Sequence, residues 1–244
     1  MSIRWVRVRA IFRKELRDYR RNRFIMVITM ALLPLLFATL PMIQLFTLSA
    51  SVSTTRLDAR IGLSLLYMLI IPTIIPSTLA AYSVVGEREQ GTLEPVLITP
   101  IHRSEFLIGK ALAALVPALT IAYAVFGIFL GAAAIFAAPG VASAVFQPSH
   151  LLVQLLFTPL LAGWSIWVGI AISARMSDVR AAQQLGVLSG LPPLAIVALL
   201  SFNVIPASLW LALGLAAVLL LIDGLAWRAV AGMFDRERLI TGRK

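Results

Sequence analysis

"RNRFIMVITMALLPLLFATLPMIQLFTLS", Arg21 to Ser49, opens with two arginines and then runs from Phe24 to Ser49 without a charged side chain. A helix needs about 20 mostly apolar residues to cross about 30 Å of hydrocarbon, so this stretch reads as a membrane span. The rest of the 244-residue chain agrees: 60% of residues are hydrophobic and only 13% charged, against about a quarter in soluble domains. The mean hydropathy is +0.93. An all-α integral membrane protein follows, with no room for a separate globular domain.

Upstream of the span, Arg4 to Arg23 carries nine of the 21 basic residues. It is too long and too charged for a signal peptide. Trp5, Val8, Phe12, Leu16 and Tyr19 fall within an arc of about 80° at helical spacing. Arg9, Arg13, Lys14, Arg17, Arg20 and Arg21 take the flank and the opposite side. That pattern predicts an amphipathic helix in the headgroup layer, apolar stripe down. Two roles fit it: a basic anchor, or an elbow helix that also touches a partner.

Downstream, apolar runs predict crossings near Ile61 to Val85, Glu105 to Ala137, Leu151 to Ala174, Ala181 to Phe202 and Ala207 to Trp227. The domain limits are then 1–23 for the interfacial helix, 24–227 for six spans and 228–244 for a basic tail. Six spans put both termini on one side. Nineteen basic residues fall on that side and only Arg56 and Arg60 on the other, which predicts cytoplasmic termini. The net charge of +10 therefore serves orientation and contact with anionic lipid, and nucleic acid is not an expected partner. The linkers Ala50 to Arg60 and Ala138 to His150 are short. Prolines inside the spans, among them Pro34, Pro41, Pro72, Pro76, Pro117, Pro159, Pro192 and Pro193, each free a carbonyl that something else must satisfy.

Ingredients for catalysis are sparse. The chain has no cysteine and two histidines, His102 and His150, expected at opposite faces of the membrane. "GWSIWVG" around Ser165 lacks the glycine a nucleophile elbow needs two residues past the serine, where Trp167 stands. Asp223 is the one acid expected within a span. It lies about one turn from Arg228, and a side chain reaching the interface to pair with that arginine is the expected arrangement. An ion-coupled secondary transporter would place further ionisable groups near the midplane. A non-transporting scaffold or sensor is a third possibility.

The most polar interior stretch is "GEREQGTLEPVLITPIHRSEFLIGK", Gly86 to Lys110. Thr92 or Gly91 can cap a short helix, Glu94 suits its N-terminal dipole, and Pro95 is tolerated in a first turn. Pro100 ends it, Ser104 is the expected cap of the next span, and Lys110 is expected to mark the membrane interface. So short a helix is unstable alone and needs a surface, either a partner protein or lipid headgroups.

This stretch resembles the signature between the second and third spans of the ABC-type-2 permeases. The likeness runs through Gly86, Glu87, Arg88, Gly91, Thr92, Leu93, Glu94, Pro100 and Lys110, and "ARMSDVRAAQQLG", Ala174 to Gly186, is similar to the family's turn between spans four and five. The resemblance implies the membrane subunit of an ATP-driven exporter in the cytoplasmic (inner) membrane of a prokaryote. It implies that the first helix is an interfacial connecting helix, and that 86–104 is the coupling segment, with Gly91 to Thr99 as a coupling helix seated on an ATPase subunit. ATPase coupling would fall to Glu87, Glu89, Gly91, Thr92, Leu93, Glu94, Val96, Leu97 and Pro100. Many relatives carry a hairpin or ectodomain before the last span, for which Ser201 to Pro206 leaves little room. The chain has no phosphate-binding loop: around Gly109 and Lys110, Ser104 stands where the first glycine should be and Ala111 where the hydroxyl should be. No cofactor is expected on this chain. ATP and Mg would belong to the partner ATPase, and a second copy or a related permease would complete the pathway. The apolar spans favour an amphiphile, drug-like molecule, lipid or hydrophobic peptide as substrate.

Overall fold

The computed structural model describes residues 3–47, 54–89, 91, 101–201 and 209–233. Among these every regular element is helical. The elements are α1 (Trp5–Arg21), α2 (π-helical over Ile25–Leu32, then α-helical over Leu33–Thr47), α3 (Thr54–Glu89), α4 (Arg103–Phe136), α5 (Pro139–Val145), α6 (Pro148–Arg175), α7 (Val179–Ser189), α8 (Leu191–Ser201) and α9 (Leu209–Met233).

Six segments are long and apolar enough to cross a bilayer: Ile25–Thr47, Leu57–Glu87, Arg103–Phe136, Pro148–Arg175, Val179–Leu199 and Trp210–Met233. Each overlaps a crossing expected from the sequence. Three local expectations need correction. The linker before the second span is shorter than Ala50 to Arg60, because α3 begins at Thr54; at its other end α3 runs past Gly86 to Glu89. The third span starts at Arg103 with His102 as its N-cap, two residues ahead of the cap expected at Ser104. The linker 138–150 holds the seven-residue helix α5, with Pro139 in its first turn, where a missing N–H costs no hydrogen bond.

The second span is the axis of the bundle. Of its most apolar 18-residue window 72% is buried, against 22% for the first, third and sixth spans, so those three present most of their surface outward. One cluster of buried residues joins α1, α3, α4, α6 and α9 through Tyr19, Leu79, Leu107, Ile170 and Val230. A second, at the opposite end of α3, gathers Leu45, Ile61, Phe129 and Val141. A third packs Leu69, Phe157, Val197 and Leu219 between α3, α6, α8 and α9.

Two of the carbonyls freed by proline have side-chain partners. Pro193 has no N–H for the Ser189 carbonyl, and the Trp164 indole Nε1 donates to that oxygen at 2.9 Å. Pro159 leaves the Leu155 carbonyl in the same position, and the Tyr123 hydroxyl donates to it at 3.0 Å. The fifth span is thereby broken at Gly190 into α7 and α8 without a buried polar group going unmet at Ser189. Ser173 of α6 does comparable service for α3: its hydroxyl donates to the Ala81 carbonyl at 2.6 Å and accepts from the Val85 N–H at 3.0 Å. An α-helix would pair those two backbone groups directly, and a hydroxyl between them is a recognised origin of a helix bend.

Candidate functional site

Polar chemistry in the described residues concentrates where α1 meets the last turns of α3 and the first turns of α4. Burial of Val8, Ile11 and Tyr19 turns one face of α1 onto the bundle. The approach is close at Gly109: a Cβ there would lie 2.7 Å from the Ile11 Cγ2, so α1 reaches this distance only because α4 has no side chain at that point.

The N-terminus of α4 is fixed first. Glu105 is 1% exposed, and its carboxylate accepts from three donors. Arg4 N–H donates to Oε1 at 2.8 Å, His102 N–H to Oε2 at 3.0 Å, and the Arg7 guanidinium to Oε2 at 3.2 Å. An acid in the first turn also meets the positive end of the helix dipole. The start of α1 is thus tied to the start of the third span.

One and a half turns on, Lys110 is wholly buried. Its Nζ lies 2.8 Å from Glu15 Oε1, 2.6 Å from the Ser83 carbonyl and 3.0 Å from Glu87 Oε2, and it stands 4.9 Å from the centre of the Phe106 ring. Lys14 closes the group from the rim, within ion-pair distance of Glu87 and 3.2 Å and 3.3 Å from Glu15 and Asp18. Two ammonium groups therefore share three carboxylates contributed by α1 and α3. Burial alone would raise the Glu15 carboxyl, but Lys110 and Lys14 outweigh it and hold the group below the ordinary glutamate range. Burial alone would lower Lys14, but Glu15, Glu87 and Asp18 outweigh that and raise it above an ordinary lysine. Tyr19 lies beneath the cluster, its hydroxyl directed at the Leu79 carbonyl at 3.5 Å. Burial, reinforced by the negative charge of Glu15 and Glu87, pushes that phenol well up and keeps it neutral.

The residues singled out in the sequence distribute as follows. Val8 and Tyr19 are buried against the bundle, Phe12 and Leu16 are half-buried on the same cluster, and Trp5 is 66% exposed. Glu87 is in the ionic cluster, while Glu89, at the end of α3, is exposed. Gly91 is exposed with φ +66°, a left-handed conformation that favours glycine and suits a turn out of α3. Thr92, Leu93, Glu94, Val96, Leu97 and Pro100 lie outside the described residues, as does the connection 202–208.

Several members of the junction were not expected. Lys110 is not an interface marker but a buried counter-ion, because Glu15 and Glu87 surround it. Glu15, Lys14 and Glu105 were not assigned to it either. A signal for Glu15 exists: it falls on the same helical stripe as Ile11 and Tyr19, and a lone acid on an apolar face requires a cation from elsewhere. Asp223 also differs from expectation. It is 8% exposed and, among the described residues, forms no ion pair with Arg228; its carboxylate rests against Gly163 of α6, where a Cβ would be 2.8 Å from Oδ2. The intervening Trp227 turns inward and packs edge-on against Trp167 at 4.9 Å.

No curated protein matches the chain significantly. Residues 9–208, from within α1 to the threshold of α9, match the family described as ABC-2 family transporter protein. With six candidate spans in the same chain, that match decides its class. The chain belongs to the ABC-2 transporter family and is a multi-pass membrane subunit of the permease type, a family without ATPase activity of its own.

Proposed function

We propose that the chain is the permease subunit of an ATP-driven exporter, that 86–104 couples it to a separate ATPase which binds the ATP and Mg, and that two permease chains, identical or related, form the pathway. The observation that carries this reading is the buried ionic junction. Glu87 at the end of α3 and Glu105 and Lys110 at the start of α4 are all tied to α1. The segment between them therefore hangs from a single body made of three helices. A displacement applied there moves α1 and the second and third spans together, where separate flanks would absorb it by local bending. Gly91 gives the turn that starts the segment, and Thr92, Leu93, Glu94, Val96 and Leu97 offer the contact surface.

On this reading the junction end faces the cytoplasm of a prokaryotic cell, in keeping with the basic residues gathered there, and the apolar edge of α1 with Trp5 meets the headgroup layer. Closure of the ATPase pair alternates the exposure of a cavity at the permease dimer axis. A ligand is carried only if its affinity differs between the two states. The large apolar surface of the spans favours an amphiphilic or hydrophobic substrate.

The test is copurification of the full chain with a candidate ATPase subunit coexpressed with it. Leu93→Asp with Leu97→Asp should abolish copurification while membrane insertion and the oligomeric state of the permease stay as in the wild type. Normal copurification and transport by the double variant would overturn the assignment.

A further inference from the structure

The pairing inside the junction leaves most arginines of α1 out. Glu15, Asp18 and Glu87 are taken by Lys14 and Lys110, and Glu105 by Arg7 and two backbone N–H groups. Arg9, Arg13, Arg17, Arg20, Arg21 and Arg23 are exposed, and none of them forms an ion pair among the described residues. At about 100° per residue Arg9, Arg13, Arg17 and Arg20 share an arc of about 80°. Its centre lies about 160° round the helix from that of Val8, Ile11, Glu15 and Tyr19, the face set on the bundle. Between the two faces runs the apolar edge of Trp5, Phe12 and Leu16.

This arrangement works against the helix that carries it. Arg9 and Arg13, Arg13 and Arg17, and Arg17 and Arg21 are like charges one turn apart, which destabilise a helix. A local penalty of that kind fits a surface whose repulsion is cancelled from outside the chain. The position of the face specifies what cancels it. Asn22 turns the chain from α1 into α2, its Oδ1 accepting from the Phe24 N–H at 3.0 Å and the Ile25 N–H at 3.3 Å. The first span therefore begins just past Arg23, and Phe24 and Val27 beside it are exposed. Guanidinium groups and bare hydrocarbon adjoin there, as phosphate and acyl chain adjoin in a phospholipid. The residue type agrees. Lys14 and Lys110 are both turned to carboxylates, while every cation of the outer face is arginine, whose planar fork holds a phosphate bidentately.

We propose that the outer face of α1 and its corner with the first span are a binding site for anionic phospholipid. The arginine forks hold headgroup phosphates, Phe24 and Val27 take the start of the acyl chains, and the bound lipid keeps α1 on the bundle by cancelling the repulsion along it. This goes beyond the coupling reading and needs only that this end of the bundle lie in the headgroup layer. It differs from the general attraction of basic residues to anionic membranes in requiring a saturable site on one face.

The test uses the purified full chain without any ATPase. Native mass spectrometry follows the detergent-solubilised chain during titration with an equal mixture of phosphatidylglycerol and phosphatidylcholine. The wild type should retain phosphatidylglycerol saturably and in preference. Arg13→Gln with Arg17→Gln and Arg20→Gln should cut that retention at least about tenfold, since each arginine beside an anionic surface contributes about fivefold. Arg175→Gln with Arg180→Gln and Arg228→Gln, which removes the same charge from exposed positions elsewhere, should leave it unchanged. Excess inorganic phosphate should not displace the lipid. In nanodiscs, hydrogen exchange across 5–21 should be several-fold slower with phosphatidylglycerol present than with phosphatidylcholine alone, and the outer-face variant should show no such difference. Exchange of the spans reports whether each variant is folded, and the wild-type arms stand even if one is not. No preference in the wild type, equal retention by the outer-face variant, an equal fall in the charge-matched control, or exchange across 5–21 that ignores the lipid would each overturn the proposal. Displacement by phosphate would also overturn it, by giving the face to a soluble phosphorylated ligand. With no ATPase present, failure here leaves the coupling test untouched.

Discussion

Lys110 and Glu15, 95 positions apart in sequence, form a buried ion pair at 2.8 Å, and this contact fastens a helix outside the spans to the third span. The pair is enclosed: the side-chain exposures are 0% and 3%. Removing one partner of a buried pair costs about 3–5 kcal/mol, mostly for the charge left behind, whereas replacing both by apolar groups of like volume is often neutral. Lys110→Met should therefore destabilise the chain by about 3–5 kcal/mol, and Glu15→Met with Lys110→Met should recover most of that, since Lys14 still neutralises Glu87. Denaturant unfolding in a single detergent, read as a double-mutant cycle, measures the coupling. Additive losses would mean that the two side chains do not share a site.

The same cluster fixes a pH dependence. Glu15 is held below its ordinary value of 4.5, so its contribution is complete above that value and is lost as pH falls through the lowered one. Lys14 is raised, so its contribution is complete below the ordinary lysine value of 10.5 and is lost only above the raised one. Docking of α1 should accordingly be flat from about pH 6 to 9 and weaken only in acid below about pH 4.5. Hydrogen exchange of residues 5–21 against pH reads this directly. In Glu15→Gln the acid step should shrink; an unchanged step would assign it to other carboxylates.

Trp164 and Pro193 make a cleaner pair. The indole hydrogen bond to the Ser189 carbonyl has a purpose only because Pro193 cannot supply an N–H. Trp164→Phe should cost about 1 kcal/mol, in the range of hydrogen bonds between membrane helices. In a Pro193→Ala background that hydrogen-bond loss should nearly vanish, because the alanine N–H takes over the carbonyl. The remaining cost measures packing of the larger ring alone. Equal losses in both backgrounds would show that the indole N–H contributes nothing.

Much of the fold was legible because hydrocarbon imposes a coarse rule: every crossing must be long and apolar, and charges must gather outside it. The spans from Phe24 and Leu151 were visible for that reason, as was the helix Trp5–Arg21 from its 3.6-residue spacing. The family too was legible, through the spacing of Gly86, Glu87, Gly91 and Pro100. What stayed hidden depends on which distant residues meet. Lys110 reads as an interface lysine unless Glu15 is known to lie beside it, and nothing local links positions 15, 87 and 110. Asp223 and Arg228 are close in sequence, which suggested a pair, but Asp223 packs toward Gly163 instead. Glycine at 163 has no local cue, since its absence of side chain matters only against a partner helix.

Gly109 and Ile11 permit a test of whether α1 must be seated for the segment 86–104 to act. Alanine at 109 would set a methyl 2.7 Å from the Ile11 Cγ2 and 3.2 Å from the Val8 carbonyl. The backbone oxygen cannot step aside, so α1 should lift from α4, and overpacking of this kind costs about 1–3 kcal/mol. Faster hydrogen exchange across 5–21 is expected in Gly109→Ala, with the six spans unaffected. Ile11→Ala removes Cγ2 but keeps Cβ, itself 2.8 Å from the added methyl, so in combination with Gly109→Ala it should recover little of the loss. If the junction transmits force, Gly109→Ala should also lower ATP-dependent transport more than it lowers binding of the ATPase, since the contact surface is intact and only its anchorage has loosened. Equal falls in both would place α1 in the ATPase contact itself, and no fall in either would show that the segment acts through α3 and α4 alone.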